Sequence, residues 1–429
     1  MYTKAMGRVP VLPSPLHHAM SRVFSPRCTV TCRRSEAYSS LTHQHRPAHS
    51  SLSFLTPSPT LNINPAFSIF SRSANTFSTS HVATTQHSAT PPSTSPAAQY
   101  KPPTTGILSR LPSSLVPYAE LIRLEKPTGT YYLYLPCLFS TLLAGLLSTP
   151  VPAPSSIVAT NALFLLGSAI FRGAACTWND TLDRDLDAKV TRTRLRPLPR
   201  GAVTASQAHT WTAIQLGAGM GVLAAAFPFP TSAIYAIPSV VIIGLYPLAK
   251  RVTHYPQVVL GFAWSWGIIM GFPAMGIDLF APESSTALAA AGTLYAANIA
   301  WTVLYDTIYA HQDVKDDTRI GIKSMAVKHG AKNLLSGLAA VQVSLLAVTG
   351  WIVGAGPVYF LGTCGGATTA LATMIWRMRL DTPENCWWWF KWGCWFTGGS
   401  VASGLMGEYW LRWKKQEDLK HAGGRVTAL

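Results

Sequence analysis

The architecture of this chain is set by residues 171–200, FRGAACTWNDTLDRDLDAKVTRTRLRPLPR. A long apolar run leads into them, Asn179, Asp180, Asp183, Asp185 and Asp187 fall close together, and a burst of arginines follows. At about 100° per residue on a helix, Asp180, Asp183 and Asp187 lie within roughly 60° of one another. Three carboxylates on one face repel unless cations sit among them. Hard divalent ions such as Mg²⁺ suit that face, because they take oxygen ligands and are often shared with a substrate's phosphates. In a soluble protein the pattern could be a solvated helix end. Beside an apolar run it reads as functional, since acids at the end of a membrane helix are costly.

The rest of the composition agrees with a membrane setting. The 429 residues are 48% hydrophobic and 12% charged, with a mean hydropathy of +0.21. A soluble domain carries about 25% charge. The net charge of +16 is not a nucleic-acid signature, because no compact basic module with interleaved aromatics is present. The seven cysteines, 28, 32, 137, 176, 364, 386 and 394, show no paired spacing, so neither a disulfide framework nor a zinc site is expected.

Residues 1–105 are expected to be a mitochondrial transit peptide followed by a disordered Ser/Pro/Thr-rich linker. The first hundred hold eight Lys or Arg and one acid, Glu36, supplying +7 of the +16, and an Arg- and Ser-rich, acid-poor N-terminus marks such a presequence. Residues 106–413 are then an all-α membrane bundle, with 414–429 a basic tail. Nine apolar runs fall near 128–148, 157–177, 206–227, 232–249, 257–276, 286–309, 333–353, 358–376 and 387–411, each close to the ~20 residues that cross a bilayer. The loops on one side hold nearly all the ionisable residues. Those on the other, STPVPAPSS, FPFPTS, GIDLFAPESS and GAGPV, are nearly neutral. This asymmetry puts the charged loops inside, facing the matrix of a mitochondrion, although the basic tail falls on the opposite face.

A second acidic cluster lies in YDTIYAHQDVKDDTRIGIKS, 305–324, where Asp306, Asp313 and Asp317 are spaced by 7 and 4 and share a helical face. Two acidic clusters on one side of the membrane, with cations nearby, make a site for a Mg²⁺-bridged diphosphate. Candidates to hold the remaining phosphate oxygens are Lys250, Arg194, Arg196 and Lys323. The histidines show no ligand spacing.

These residues resemble those of the UbiA-type membrane prenyltransferases, and within that family its 4-hydroxybenzoate branch. The NDxxDxxxD signature stands at Asn179, Asp180, Asp183 and Asp187, followed by RTRLRPLP. DxxxD stands at Asp313 and Asp317 within YDTIYAHQDVKDD, YxxxK at Tyr246 and Lys250, and RLxKPxG at Arg123, Lys126, Pro127 and Gly129. The resemblance covers about 118–411. It implies a Mg²⁺-dependent enzyme that takes polyprenyl diphosphate and 4-hydroxybenzoate, works in the mitochondrial inner membrane and serves ubiquinone synthesis, with room for contacts with other quinone-biosynthesis proteins. Asp180, Asp183, Asp187, Asp313 and Asp317 would hold metal. Asn179, Arg194, Arg196, Lys250 and Lys323 would bind the diphosphate, and Tyr246, Tyr305 and Tyr309 would face the allylic cation. Arg251 or Arg123 would meet the acceptor's carboxylate, and Asp306 would orient the phenol or assist proton loss.

One departure is the Trp-dense WWWFKWGCWF, 387–396, expected to be an interfacial belt or lipid-facing packing. Two rival readings are an acceptor such as homogentisate, a naphthoquinone precursor or haem, and a transporter. The latter needs ionisable residues near helix midpoints and helices broken at the bilayer centre, whereas the acids here gather at helix ends on one side.

Overall fold

The computed structural model describes residues 100–227, 229–330 and 332–426, so most of the expected transit peptide lies outside the described residues. Every regular element among the described residues is helical: α1 (Val116–Leu121), α2 (Thr128–Leu147), α3 (Pro154–Leu182), α4 (Arg184–Asp187), α5 (Ala205–Ala226), α6 (Thr231–Val252), α7 (Pro256–Trp264), α8 (Gly267–Ala274), α9 (Ser285–Ala310), α10 (Val314–Ile320), α11 (Met325–His329), α12 (Lys332–Ile352), α13 (Pro357–Tyr359), α14 (Gly366–Arg377) and α15 (Pro383–Val426). Turn chemistry sets several boundaries. Pro154, Pro256 and Pro357 stand in the first turn of α3, α7 and α13, where a missing N–H costs nothing. Thr204 and Gln207 form a reciprocal cap that starts α5.

Seven segments of the described residues are long and apolar enough to cross a membrane: α2, α3, α6, α7–α8, Pro282–Ala310, α12 and Pro357–Arg377. Two of the expected nine runs fall outside this set. Helices do occupy the other two positions, but α5 carries Gln207, His209 and Gln215, and α15 starts with a tryptophan-rich stretch and continues into a charged end. Neither reaches the apolarity of the rest.

The enclosed centre is built on α2 and α9, joined by α15 and α8. Tyr132, Trp301, Tyr305, Leu142 and Leu143 are fully buried there. Ring centroids of Tyr132 lie 5.1–5.5 Å from Phe390, Trp301 and Tyr305, a spacing at which aromatic edges and faces attract. Between α2 and α8 the backbones meet closely: a Cβ on Gly271 would lie 1.9 Å from Ser140 Oγ. Small residues permit such contact where lipid supplies no hydrophobic drive for helix association.

The seventh-to-eighth helix span is interrupted at Ser265–Trp266. Ser140 Oγ donates to the Gly267 carbonyl at 3.0 Å and Asn298 donates to Ser265 Oγ at 2.9 Å, so local side chains satisfy the break. No ionisable group stands at that break, so the ionisable midpoint that the transporter reading needs is missing there.

Candidate active site

Neither acidic motif sits on one continuous helix. Asn179 and Asp180 close the last turns of α3, Asp183 is its C-cap, and Asp187 ends the one-turn α4. The chain then folds back through 188–203, which returns Arg196 to the acids: it donates to Asp180 at 3.0 Å and to Asp187 at 2.7 Å. Arg123, ahead of α2, donates from Nη2 to both oxygens of Asp180 at 2.8 and 2.7 Å. Its backbone has φ +57°, a left-handed conformation that costs a non-glycine residue about 1–2 kcal/mol. In this conformation the side chain reaches both the buried Asp180 carboxylate and, through Nη1, the Glu120 carbonyl at 2.8 Å. Lys250, in the last turn of α6, reaches Asp183 at 2.9 Å.

The second motif is broken too. Asp306 lies on α9, the helix ends at Ala310, and Asp313 caps α10, which carries Asp317. Arg192, on the loop after the first motif, crosses to it. Its Nε donates to Asp313 Oδ1 at 2.8 Å, its Nη2 pairs with Oδ2, and its Nη1 donates to the Tyr309 hydroxyl at 2.8 Å. The Thr191 N–H donates to Asp316 at 3.0 Å and holds that carboxyl below its ordinary range. Burial, and then the neighbouring Asp313, push Asp317 up to about 7. Burial also raises Asp187, against the pull of Arg196.

Both motifs line one cavity of about 700 Å³. Arg123, Asn179, Asp180, Asp183, Asp187, Arg196, Tyr246, Lys250, Asp306, Tyr309, Asp313, Asp317 and Lys323 all border it. Three expected residues do not. Arg251 is exposed and donates to the Leu182 carbonyl at 2.8 Å, Arg194 points elsewhere with its Nε buried and unpartnered, and Tyr305 lies beneath the cavity, bonded to Thr397 at 3.1 Å.

Reasoning from the sequence missed Arg192 and Arg172. The first was one arginine among several; the second lies two turns before the acids, where an isolated cation in an apolar run is a weak signal. Arg172 borders the cavity with its Nε buried and unpartnered, and Nη1 donates to the Ile122 carbonyl at 3.3 Å. The tryptophan-rich stretch divides as well. Trp388, Trp392 and Trp395 are exposed, as a belt would be, while Trp387 and Phe390 turn into the cavity wall. A second cavity of about 340 Å³, almost wholly apolar, begins at the shared wall residue Leu133 and continues between α3, α5 and α6.

Among the described residues, no three His, Cys, Asp or Glu side chains are gathered closely enough to hold a metal outright, and arginine or lysine pairs with Asp180, Asp183, Asp187 and Asp313. The donor set nevertheless fits a hard divalent cation. Asn179 Oδ1 and Asp183 Oδ1 are buried oxygen acceptors with no hydrogen-bond partner, and both residues border the cavity.

Residues 134–397 match the UbiA prenyltransferase family. The chain belongs to that family. It is 42% identical over 279 residues to the mitochondrial 4-hydroxybenzoate polyprenyltransferase of Schizosaccharomyces pombe, a match covering 64% of this chain and 75% of that one. The enzyme of the same name from Saccharomyces cerevisiae is 40% identical over 289 residues, 66% and 74% of the two chains. The prenyltransferase ascA of Acremonium egyptiacum is 37% identical, over 65% and 81%. In fold, the chain is similar to the apo structure of a UbiA homolog from Aeropyrum pernix K1, with a TM-score of 0.51, 20% identity and coverage of 66% and 97%. This all-helical membrane protein is thus a prenyltransferase.

Proposed function

We propose that the chain transfers a polyprenyl group from polyprenyl diphosphate to 4-hydroxybenzoate, at the ring carbon ortho to the hydroxyl. The reaction is Mg²⁺-dependent and takes place in the mitochondrial inner membrane, with the site facing the matrix. The observation that carries this reading is the convergence of both acidic motifs on one cavity, which Arg172 also borders with its Nε unpartnered. The names of the yeast relatives supply the acceptor and the organelle, and the basic, acid-poor residues 1–105 fit a presequence.

The diphosphate would lie between the motifs, its oxygens met by Arg196, Lys250 and Arg192. Asn179, Asp180, Asp183, Asp187, Asp313 and Asp317 would hold Mg²⁺. When bound, the metal supplies charge neutralisation to the departing diphosphate. The prenyl tail would pass Leu133 into the apolar cavity between α3, α5 and α6. As the allylic C–O bond breaks, its electron pair leaves with the diphosphate. The aromatic faces of Tyr246, Tyr309 and Phe390, all on the cavity wall, stabilise the allylic cation and exclude water. The ring carbon of the acceptor then supplies the pair for the new C–C bond, and the ring proton is lost, with Asp306 placed to orient the phenol or take the proton. Arg172 takes the carboxylate role first assigned to Arg123 or Arg251. Arg123 is committed to Asp180, and Arg251 is outside the cavity.

The test is turnover by the purified, reconstituted chain with labelled polyprenyl diphosphate. Product should form with 4-hydroxybenzoate and Mg²⁺, vanish with a chelator, and fall about 10²–10³-fold in Asp183→Ala, the scale of losing a main charge-stabilising group. Undiminished turnover in either the chelated protein or that variant would end the metal-site reading. Faster reaction with homogentisate would assign another acceptor.

A further inference from the structure

We propose that Arg192 is a positioning residue that latches the two acidic loops together in the unloaded enzyme and transfers to the diphosphate on loading, so that divalent cation and diphosphate bind cooperatively. The inference rests on the diphosphate-and-metal reading of the cavity. Arg192 occupies both carboxylate oxygens of Asp313, donates to the Tyr309 hydroxyl and lies 5.1 Å from the centre of that ring. The adjacent Thr191 N–H on Asp316 makes a second tie between the same two loops. These contacts span the mouth from the loop after the first motif to the start of the second.

Two facts make the tie exchangeable. It lies at the rim, with 37% of the Arg192 side chain and 15% of Asp313 exposed, whereas Asp180 in the Arg123 pair is 1% exposed. Ion pairs near solvent are weak and are readily replaced by a better partner, while buried ones are costly to part. A diphosphate is that better partner for a guanidinium fork, offering more charge and the same bidentate geometry. A cation arriving alone must compete with Arg192 for Asp313, and diphosphate arriving alone must compete with Asp313 for Arg192. Each ligand removes the other's competitor, and by linkage the assistance is reciprocal.

The experiment measures Mn²⁺ binding to the purified full chain by electron paramagnetic resonance, at matched free Mn²⁺, with and without inorganic pyrophosphate. In the wild type pyrophosphate should tighten Mn²⁺. Arg192→Gln should bind Mn²⁺ alone about threefold or more tightly than wild type, yet gain less from pyrophosphate, with Arg192→Lys intermediate. A residue that merely pins the loops would weaken both measurements when replaced. The proposal is overturned if both variants bind Mn²⁺ alone no more tightly than wild type, or if the pyrophosphate gain is unchanged. Wild-type protein that binds no Mn²⁺, or binds it no better than Asp183→Asn, would overturn the underlying metal-site reading as well.

Discussion

The Arg172 guanidinium has a backbone carbonyl for a partner where its neighbours in the cavity have carboxylates. A partly buried cation in that state is stabilised when a ligand anion completes it. Arg172→Gln should therefore lower kcat/KM for 4-hydroxybenzoate about 10²-fold, the scale of truncating one side of a buried charge pair. The KM for the prenyl diphosphate should move far less. Wild type and variant should converge on an acceptor that lacks the carboxylate, and steady-state kinetics with both acceptors reads the difference. Gly129 controls the same guanidinium, since a Cβ there would lie 2.1 Å from Arg172 Nε. Gly129→Ala should reproduce the acceptor defect and cost about 1–3 kcal/mol of stability through overpacking. Asp317 gives the site its pH dependence. Burial and Asp313 raise its carboxyl to about 7, against about 3.9 in an unfolded chain. The folded protein thus holds the extra proton between those values. The stability this gives is fully present below about 3.9 and is lost as pH rises through about 7. A cation that needs the ionised carboxylate must expel that proton. Mn²⁺ affinity should fall by up to about tenfold per pH unit below about 7 and level off above it, whereas Asp317→Asn should bind weakly with little slope.

At the scale of elements, the two acidic motifs meet at one cavity for a reason other than the helical spacing used to read them. The 3.6-residue period assumed unbroken helices, yet α3 stops at Leu182 and α9 at Ala310. Asp187 and Asp317 reach the cavity because short helices, α4 and α10, restart at those breaks. Local periodicity cannot show a break that tertiary ion pairs stabilise, and the Arg192 crossing joins residues 121 apart in the chain. Much the same holds for α15. Its aromatics are visible in sequence, but only packing against Tyr309 shows which rings face the site, Phe390 at 4.7 Å and Trp387 at 6.2 Å. The far end of α15 carries its own fastening. Arg412 pairs with the buried Glu408 at 3.2 Å and donates to the carbonyls of Leu146, Val353 and Gly354, where α2 and α12 end. A cation over such orphan carbonyls also complements the helix dipoles. Arg412→Met should leave Glu408 buried and unpaired, destabilising the chain by about 2–4 kcal/mol, a little under the loss for a fully buried pair because Arg412 is partly exposed. Thermal unfolding in detergent should show the loss, and Glu408→Gln in the same chain should recover part of it.

For the whole molecule, polar chemistry at one end of the bundle has to serve an apolar tail, and the two cavities share the wall residue Leu133. The first gathers the charged groups of α3, α6, α9 and α10. The second continues between α3, α5 and α6, where α5 presents Gly219 and α3 presents Gly167 to the space. Neither glycine is forced by backbone conformation, and the closest atom to a Cβ on either would be 3.7 Å away, an ordinary contact. An alanine should accordingly be accepted at both positions. A phenylalanine at 219 adds a ring with no space except the cavity itself, so it competes with the tail rather than with the fold. Gly219→Phe should turn over short prenyl diphosphates at near wild-type rates while losing about tenfold or more in kcat/KM on long ones, since each displaced apolar CH₂ forfeits about 0.8 kcal/mol of burial. Mn²⁺ and pyrophosphate binding at the mouth should be unchanged. A donor series of increasing length, run on wild type, Gly219→Ala and Gly219→Phe, decides the matter. Equal losses on every donor would move the tail out of this cavity, and a selective loss on long donors would fix its path between α3, α5 and α6.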